Sequence, residues 1–129
     1  MSKRILISSG NHLEDEVGYS RAVRVGNIIE ISGTTAVVDG KIVGVGDAYE
    51  QTKCICQKIE KVLKDAGASL ADVTRIRIYL TDIGYWKDAT RAYSEFFKEI
   101  KPACSILEVN GFIGDELLVE LETSAVVAE

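Results

Sequence analysis

Short runs of β-prone residues alternate with polar and glycine-containing segments in the first third of the chain. The runs predicted as strands are 3–8, 20–25, 28–32, 34–38 and 41–45. Gly26 and Asn27 separate one pair of runs, and Asp39 and Gly40 separate another. Both dipeptides tolerate the positive φ angles of two-residue turns, so the pattern predicts two β-hairpins. The polar stretch 10–18 is predicted as a loop.

A first helix is predicted where the apolar spacing changes from two residues to three or four. The residues at this spacing are Ala48, Thr52, Ile55, Ile59, Val62, Leu63 and Ala66. Asp47 precedes them, and Glu50 follows three residues later in an arrangement similar to a capping box. Gly67 lies where helices commonly end. The pattern therefore predicts a helix between Asp47 and Gly67.

The second half of the chain predicts a strand, a helix and two further strands. Residues 73–81 alternate between two faces. One face carries Ile76, Ile78 and Leu80, and the other carries Arg75, Arg77 and Tyr79. A helix is predicted over 83–100, before Pro102. Its apolar stripe is Trp86, Ala89, Tyr93, Phe96, Phe97 and Ile100. The last strands are predicted over 105–109 and 117–128.

The order of these elements indicates an α+β fold. We expect a mixed sheet of about six strands with two helices packed on one face, in a single domain over residues 1–129. The opposite sheet face would mix apolar and charged side chains: Arg77, Tyr79, Leu118, Glu120 and Glu122. Such a face is too apolar for open solvent and too charged for a monomer core. We therefore expect an oligomer with polar clefts between subunits.

The charge balance narrows the classes of function. The 129 residues include 15 Lys and Arg against 20 Asp and Glu, a net charge of −5. Nucleic-acid binding is disfavoured, because phosphate contacts require a basic surface. His12 is the only histidine. A Ser-His-Asp hydrolase would have to use it, and metal sites built from several histidines are excluded.

The cysteines indicate a reducing environment. They are odd in number, namely Cys54, Cys56 and Cys104, and the first residues lack the apolar run of a signal peptide. No stretch approaches the roughly 20 apolar residues of a membrane span. We therefore expect a cytoplasmic protein with no membrane partner. Cys54 and Cys56 would point about 200° apart on a helix, which favours packing roles for both.

A series of short segments resembles a known family in order and spacing. They read GYSRAV (18–23), ISG (31–33), FF (96–97), PACSILEV (102–109) and VELE (119–122). Together they resemble the RidA/YjgF family of imine and enamine deaminases, also described as L-PSP endoribonucleases or translation inhibitors. The resemblance implies a chorismate-mutase-like fold and a homotrimer with ligand sites in clefts between subunits. It also implies hydrolysis of small reactive imines or enamines to ketoacids and ammonia, without a metal or organic cofactor.

Four residues match the family's site pattern. The resemblance implies that Glu120 handles the hydrolytic water and that Tyr19, Ser32 and Gly33 bind the substrate. A carboxylate in a partly dry cleft suits the first role, because burial raises its pKa toward neutrality. The structural alternatives are an interface tyrosine at Tyr19 and a strand-end turn at Ser32 and Gly33.

Three other positions depart from the pattern. Cys104 stands where the family has a carboxylate-binding arginine, Ile106 where it has a cysteine, and Thr90 where it has an asparagine. The resemblance implies that they line the substrate site, but without a guanidinium fork for a carboxylate. Arg21 lies two residues after Tyr19, on the same face of a strand. It either replaces the missing anchor or is a surface arginine.

Two side chains have further alternative roles. Glu120 either handles water or forms a structural ion pair with Arg75, Arg77 or a neighbouring subunit. Cys104 is either a reactive thiol, activated by a nearby base or cation, or a small filler at the position of the missing arginine.

The sequence as a whole supports two functions. The first is a hydrolase that deaminates a small imine, enamine or related metabolite. The second is a non-catalytic trimer of the same fold that binds a small molecule or a partner protein. An endoribonuclease or translation inhibitor is less favoured, because the chain is acidic and lacks histidine pairs and a basic aromatic stripe.

Overall fold

The computed structural model describes residues 3–128, which form a six-stranded mixed sheet, a small hairpin and two α-helices. The strands are β1 (Arg4–Ile7), β2 (Ala22–Val25), β3 (Ile28–Thr34), β4 (Val37–Val38), β5 (Lys41–Ile42), β6 (Val73–Leu80), β7 (Ala103–Glu108) and β8 (Val119–Val126). The helices are α1 (Ala48–Asp65) and α2 (Trp86–Phe97). The sheet order is β1-β2-β3-β8-β6-β7, and β6 pairs with β7 in parallel while the other neighbours are antiparallel.

The predicted α+β fold is confirmed, with both helices on one face of the sheet. Alternation on β6 and β8 sends every second side chain into the core beneath the helices. The largest of the fully buried side chains from helices and sheet are Phe97, Ile29, Ile55, Ile59, Leu63, Ile76, Ile78, Leu80 and Leu121. Burial of these apolar groups is the main favourable contribution to folding.

The predicted turns and the first helix start are also confirmed. Gly26 has a φ of +59°, and Asp39 and Gly40 have φ values of +52° and +77°, as a two-residue hairpin turn requires. The Asp47 side chain accepts a hydrogen bond of 3.0 Å from the Glu50 N–H, so it caps α1.

The loop predicted over 10–18 is wrong in part, because Glu14–Gly18 forms one turn of π-helix. The Tyr19 N–H donates to the Glu14 carbonyl at 3.0 Å and closes the turn. The Glu14 side chain is only 5% exposed. Its carboxylate accepts hydrogen bonds from the Ser9 N–H at 3.1 Å and from the Ser9 hydroxyl. These bonds compensate the burial of a charged group, which the polar composition gave no reason to expect.

The second helix is shorter than predicted. Residues Ile83–Tyr85 form a separate 3₁₀ turn, and the α-helix begins at Trp86. Trp86 was predicted in the apolar stripe, but it is 45% exposed and lies beneath Lys87 Nζ, 5.7 Å from the ring centroid. It sits in the first turn of the helix, short of the core. The residues that α2 buries are Ala89, Ala92 and Phe97.

Cys54 and Cys56 are both buried in α1, which confirms their packing role. Burial raises the pKa of the Cys56 thiol to about 12 and also raises that of Cys54. No helix among residues 3–128 combines the length and the apolar character needed to cross a membrane.

Gln51 ties α1 to the start of β8. Its side chain is fully buried. Nε2 donates to the carbonyls of Gly44 at 3.1 Å and Glu116 at 2.9 Å, and Oε1 accepts from the Leu118 N–H at 2.9 Å. The last contact fixes the backbone two residues before Glu120.

Gln51→Leu is expected to lower the free energy of unfolding by about 2–4 kcal/mol, because it leaves two loop carbonyls and the Leu118 N–H without their side-chain partner. Chemical denaturation measures the change. Gln57→Leu is the matched control, since Gln57 is exposed on the same helix, and it should stay within about 0.5 kcal/mol of the wild type. Equal stability of the two variants would contradict this role of Gln51.

Candidate functional site

The sheet face opposite the helices carries partly buried polar side chains, as predicted. Tyr79 on β6 lies opposite Glu120 on β8, and Arg77 lies opposite Glu122. All four side chains are partly exposed in the single chain. The Tyr79 hydroxyl donates a hydrogen bond to Glu122.

Glu120 forms no ion pair within the described part of its own chain. The salt bridges among residues 3–128 are both surface pairs within helices. Arg75 instead donates to the Ser105 hydroxyl at 2.9 Å, and Arg77 makes no contact within 4 Å to an acidic oxygen. Of the ion-pair alternatives for Glu120, only pairing with a neighbouring subunit stays open.

A β-bulge at Ser32 and Gly33 makes room for the Glu120 carboxyl group. Ile31 pairs with Thr123 and Thr34 pairs with Leu121, so Ser32 and Gly33 together oppose a single residue of β8. A Cβ atom at Gly33 would lie 2.8 Å from both Cδ and Oε2 of Glu120. A side chain at position 33 is therefore incompatible with this position of the carboxyl group.

The surroundings of Glu120 favour its protonated form. Burial raises the pKa of its carboxyl group, the negative charge of Glu122 raises it further, and the positive charge of Arg21 opposes both effects. The net shift is upward. A carboxyl group with a raised pKa can exchange protons with a substrate closer to neutral pH than an ordinary glutamate can.

Arg21 contacts the bulge through one N–H group, and another of its N–H groups is without a hydrogen-bond partner among the described residues. Its Nη2 donates to the Gly33 carbonyl at 2.5 Å, whereas its Nε is buried without a hydrogen-bond partner in the described part of the chain. Burial lowers the pKa of the guanidinium, and the charges of Tyr19, Glu14 and Glu120 oppose that shift. A half-buried cation with an unpaired donor is a natural partner for an anion.

Tyr19 and Ser32 line a cleft of about 530 Å³ on this face, together with Ser20 and Glu14. The Ser32 hydroxyl donates to the Ser20 carbonyl at 2.7 Å. Ser32 also borders a second cleft of about 360 Å³. Glu120 lines neither cleft but lies against Gly33, the residue that follows Ser32.

Cys104 and Ile106 lie on the other face of the sheet. They pair with Ile76 and Ile78 of β6, whose side chains point into the core beneath the helices. Ile106 packs against that core, and Cys104 is exposed at the strand edge near Tyr93 of α2.

The surroundings of Cys104 favour the protonated thiol. Burial raises its pKa, and hydrogen bonding with the Tyr93 hydroxyl and the charge of Arg75 oppose the shift only in part. The thiolate is the nucleophile, so a raised pKa argues against covalent catalysis. The structure therefore favours the filler role for Cys104.

Thr90 lies on α2. It is therefore on the helix side of the sheet, as are Cys104 and Ile106 of β7, and away from Glu120. Its hydroxyl donates to the Trp86 carbonyl at 2.7 Å, one helical turn earlier. The predicted site residues thus fall into two groups. The Glu120 group comprises Tyr19, Arg21, Ser32, Gly33 and Glu120, and the Cys104 group comprises Thr90, Cys104 and Ile106. A single chain does not bring the two groups together.

The structure adds Glu14 to the site, a residue that sequence reasoning did not select. It lines the cleft beside Tyr19, five residues before it in the chain. No motif marks it, because its burial depends on the π-helical turn and on Ser9. His12 is exposed in the same segment. Among residues 3–128, no three His, Cys, Asp or Glu side chains cluster in a way that could hold a metal ion.

Comparisons with known proteins cover most of the chain. The family model for Endoribonuclease L-PSP matches residues 9–127. A RutC family protein of Pyrococcus abyssi is 40% identical over 109 residues, which cover 83% of this chain and 84% of that protein. The 3-aminoacrylate deaminase RutC of Acinetobacter baylyi is 32% identical over 126 residues, 97% of this chain and 98% of that enzyme.

The chain is also similar to a solved structure. Rv2704 from Mycobacterium tuberculosis, a member of the YjgF/YER057c/UK114 family, is 42% identical to this chain with a TM-score of 0.88. The match covers 97% of this chain and 100% of that structure. Sequence and structure comparisons therefore point to one family.

Gly33→Ala is expected to displace the Glu120 carboxyl group while the fold survives. The new Cβ would contact the far end of a flexible side chain, which can rotate away. We expect a loss of about 1–3 kcal/mol in unfolding free energy and a shifted carboxyl group in a crystal structure of the variant. Gly111→Ala is the control, because a Cβ there meets nothing within 4 Å. An unmoved Glu120 in the Gly33 variant would disprove the steric argument.

Proposed function

This chain belongs to the Endoribonuclease L-PSP family, which includes the RutC and YjgF/Rid proteins, and on that premise we propose that it hydrolyses the C–N bond of a small imine or enamine. One relative is a 3-aminoacrylate deaminase, and 3-aminoacrylate is an enamine acid. The observation that carries the proposal is the Glu120 carboxyl group, which is half-buried against Gly33 with a raised pKa. In this proposal, residues 1–129 form one RidA-like domain.

Glu120 is the proposed proton carrier. Ionised Glu120 accepts a proton from water as the water oxygen bonds to the carbon of the protonated imine, and the C=N π electrons become the nitrogen lone pair. An enamine first reaches this form by taking up a proton at carbon. Glu120 then returns its proton to the nitrogen of the carbinolamine, the C–N bond breaks as the C=O bond forms, and the hydroxyl proton leaves with ammonia as ammonium, so that a ketoacid remains. One water is consumed for each ammonia released. A pKa above the ordinary glutamate value suits both directions of transfer.

The other residues of the Glu120 group are proposed to bind the substrate. Tyr19 offers a hydroxyl donor and a ring, Ser32 offers a hydroxyl, and Gly33 allows close approach to the backbone. Arg21 is a partly exposed cation beside these residues. We propose that it replaces the missing arginine and holds an acid group of the substrate.

A homotrimer is part of the same proposal. The mixed face around Leu118, Glu120 and Glu122 is partly exposed in the single chain. The edge strands β1 and β7 each pair with a neighbour on one side only. Association would place the Cys104 group of one subunit beside the Glu120 group of the next, which completes one site.

The three free cysteines support a cytoplasmic location, because disulfides are rare there.

A non-catalytic trimer that binds a small molecule is the second candidate. The observation that favours it is the Cys104 group, which contains neither a cation nor a reactive thiol. An endoribonuclease role has less support, because the chain carries a net charge of −5 and one histidine.

Glu120→Gln is expected to lower turnover by about 10²-fold or more, because glutamine cannot accept and return a proton. A dehydratase that releases 2-aminocrotonate supplies the substrate, and ketoacid release is followed. Glu30→Gln is the control, since Glu30 is exposed on β3. If the wild type does not accelerate ketoacid release, the binding-protein candidate replaces the deaminase. Unchanged turnover in a stable Glu120 variant would remove Glu120 from the mechanism.

Light scattering is expected to give a mass of three chains at micromolar concentration. The physical reason is the mixed charged and apolar face, which association covers. A folded monomer under these conditions would exclude the composite site between subunits, and with it the roles proposed for Thr90, Cys104 and Ile106.

A further inference from the structure

Glu14 is a nearly buried carboxylate that borders the cleft and is held by neutral donors only. The side chain is 5% exposed and lines the cleft with Tyr19, Ser20 and Ser32. Ser9 donates to Oε2 from its N–H, at 3.1 Å, and from its hydroxyl. The Ser8 side chain also hydrogen-bonds to the carboxylate. Serine donors carry no charge, so they do not neutralise the carboxylate.

This carboxylate is ionised and lacks a cation of its own. Burial acts to raise its pKa, but the hydrogen bonds from Ser9 and Ser8 and the charge of Arg21 outweigh burial and leave the pKa below its ordinary value. Arg4 lines the same cleft, yet neither Arg4 nor Arg21 comes within 4 Å of a carboxylate oxygen in the described chain. A buried charge without a close counterion is costly unless a partner supplies one.

We propose that Glu14 binds a positively charged nitrogen of the ligand, an ammonium or a protonated imine, through its carboxylate. Such a group donates a charge-assisted hydrogen bond to a carboxylate. The Tyr19 ring lines the same cleft and offers a face that also attracts cations.

This assignment rests on the proposed function in one respect, namely that the cleft beside Ser32 is the substrate site. There Glu14 would hold the nitrogen end of the substrate, while Glu120 acts on water beyond Gly33. The charge of Arg21 acts on both carboxylates, which places the three residues around one region of the sheet. The ligand class that follows is a small, amino-acid-like molecule with a cationic nitrogen and an acid group.

Binding of butylammonium to the full-length protein tests the inference without any reaction. We expect saturable amide shifts at Ser9, Tyr19 and Ser20 in NMR spectra, and none with 1-butanol, which has the same chain but no charge. Glu14→Gln should weaken butylammonium binding at least tenfold. Glu16→Gln is the matched control, because it removes the same charge from an exposed residue of the same turn, and its binding should equal that of the wild type.

Each outcome decides the inference. No saturable shift, equal binding in the Glu14 variant, or equal binding of 1-butanol would overturn it. If Glu14→Gln does not fold, nuclear Overhauser contacts between the butylammonium methylene next to nitrogen and the Glu14 side chain in the wild type replace the variant. Their absence would also overturn it. Failure here leaves deaminase activity and the Glu120 variant untouched, so the two proposals fail separately.

Discussion

The Glu120 carboxyl group occupies space that exists only because residue 33 has no side chain. A Cβ there would lie 2.8 Å from two carboxyl atoms, and the bulge at Ser32 and Gly33 turns this position of β3 toward β8. Arg21 bonds to the Gly33 carbonyl and so supports the bulge from behind. The half-burial of Glu120 and its raised pKa both follow from this arrangement.

The Glu120 and Cys104 groups lie on opposite faces of the sheet, so one chain cannot combine them in a single site. One group lies on the open face of the sheet, and the other lies on the helix side at the edge strand β7. Strand alternation forbids a single chain from turning Cys104 toward Glu120 without reversing every other residue of β7. A site that combines the two groups therefore requires association of at least two chains, as in the proposed trimer.

Much of the fold follows from local pattern, because helix caps, hairpin dipeptides and strand alternation act over a few residues. Asp47 and Asp39 behave as their neighbours in sequence predict. The burial of Glu14, the exposure of Trp86 and the contact between Gly33 and Glu120 depend instead on distant partners or on the position of an element relative to the sheet. The resemblance selected Gly33 and Glu120 separately, but only the structure shows that they touch.

A carbon-13 NMR titration of the Glu120 carboxyl group would measure its pKa in the folded protein. We expect a titration midpoint above the ordinary glutamate value of about 4.3. We also expect a lower midpoint in Glu122→Gln, because that variant removes the neighbouring negative charge that helps to raise the pKa. A midpoint at or below the ordinary value in the wild type would show a carboxylate stabilised by an ion pair. That result would contradict Glu120 as the group that carries protons in hydrolysis.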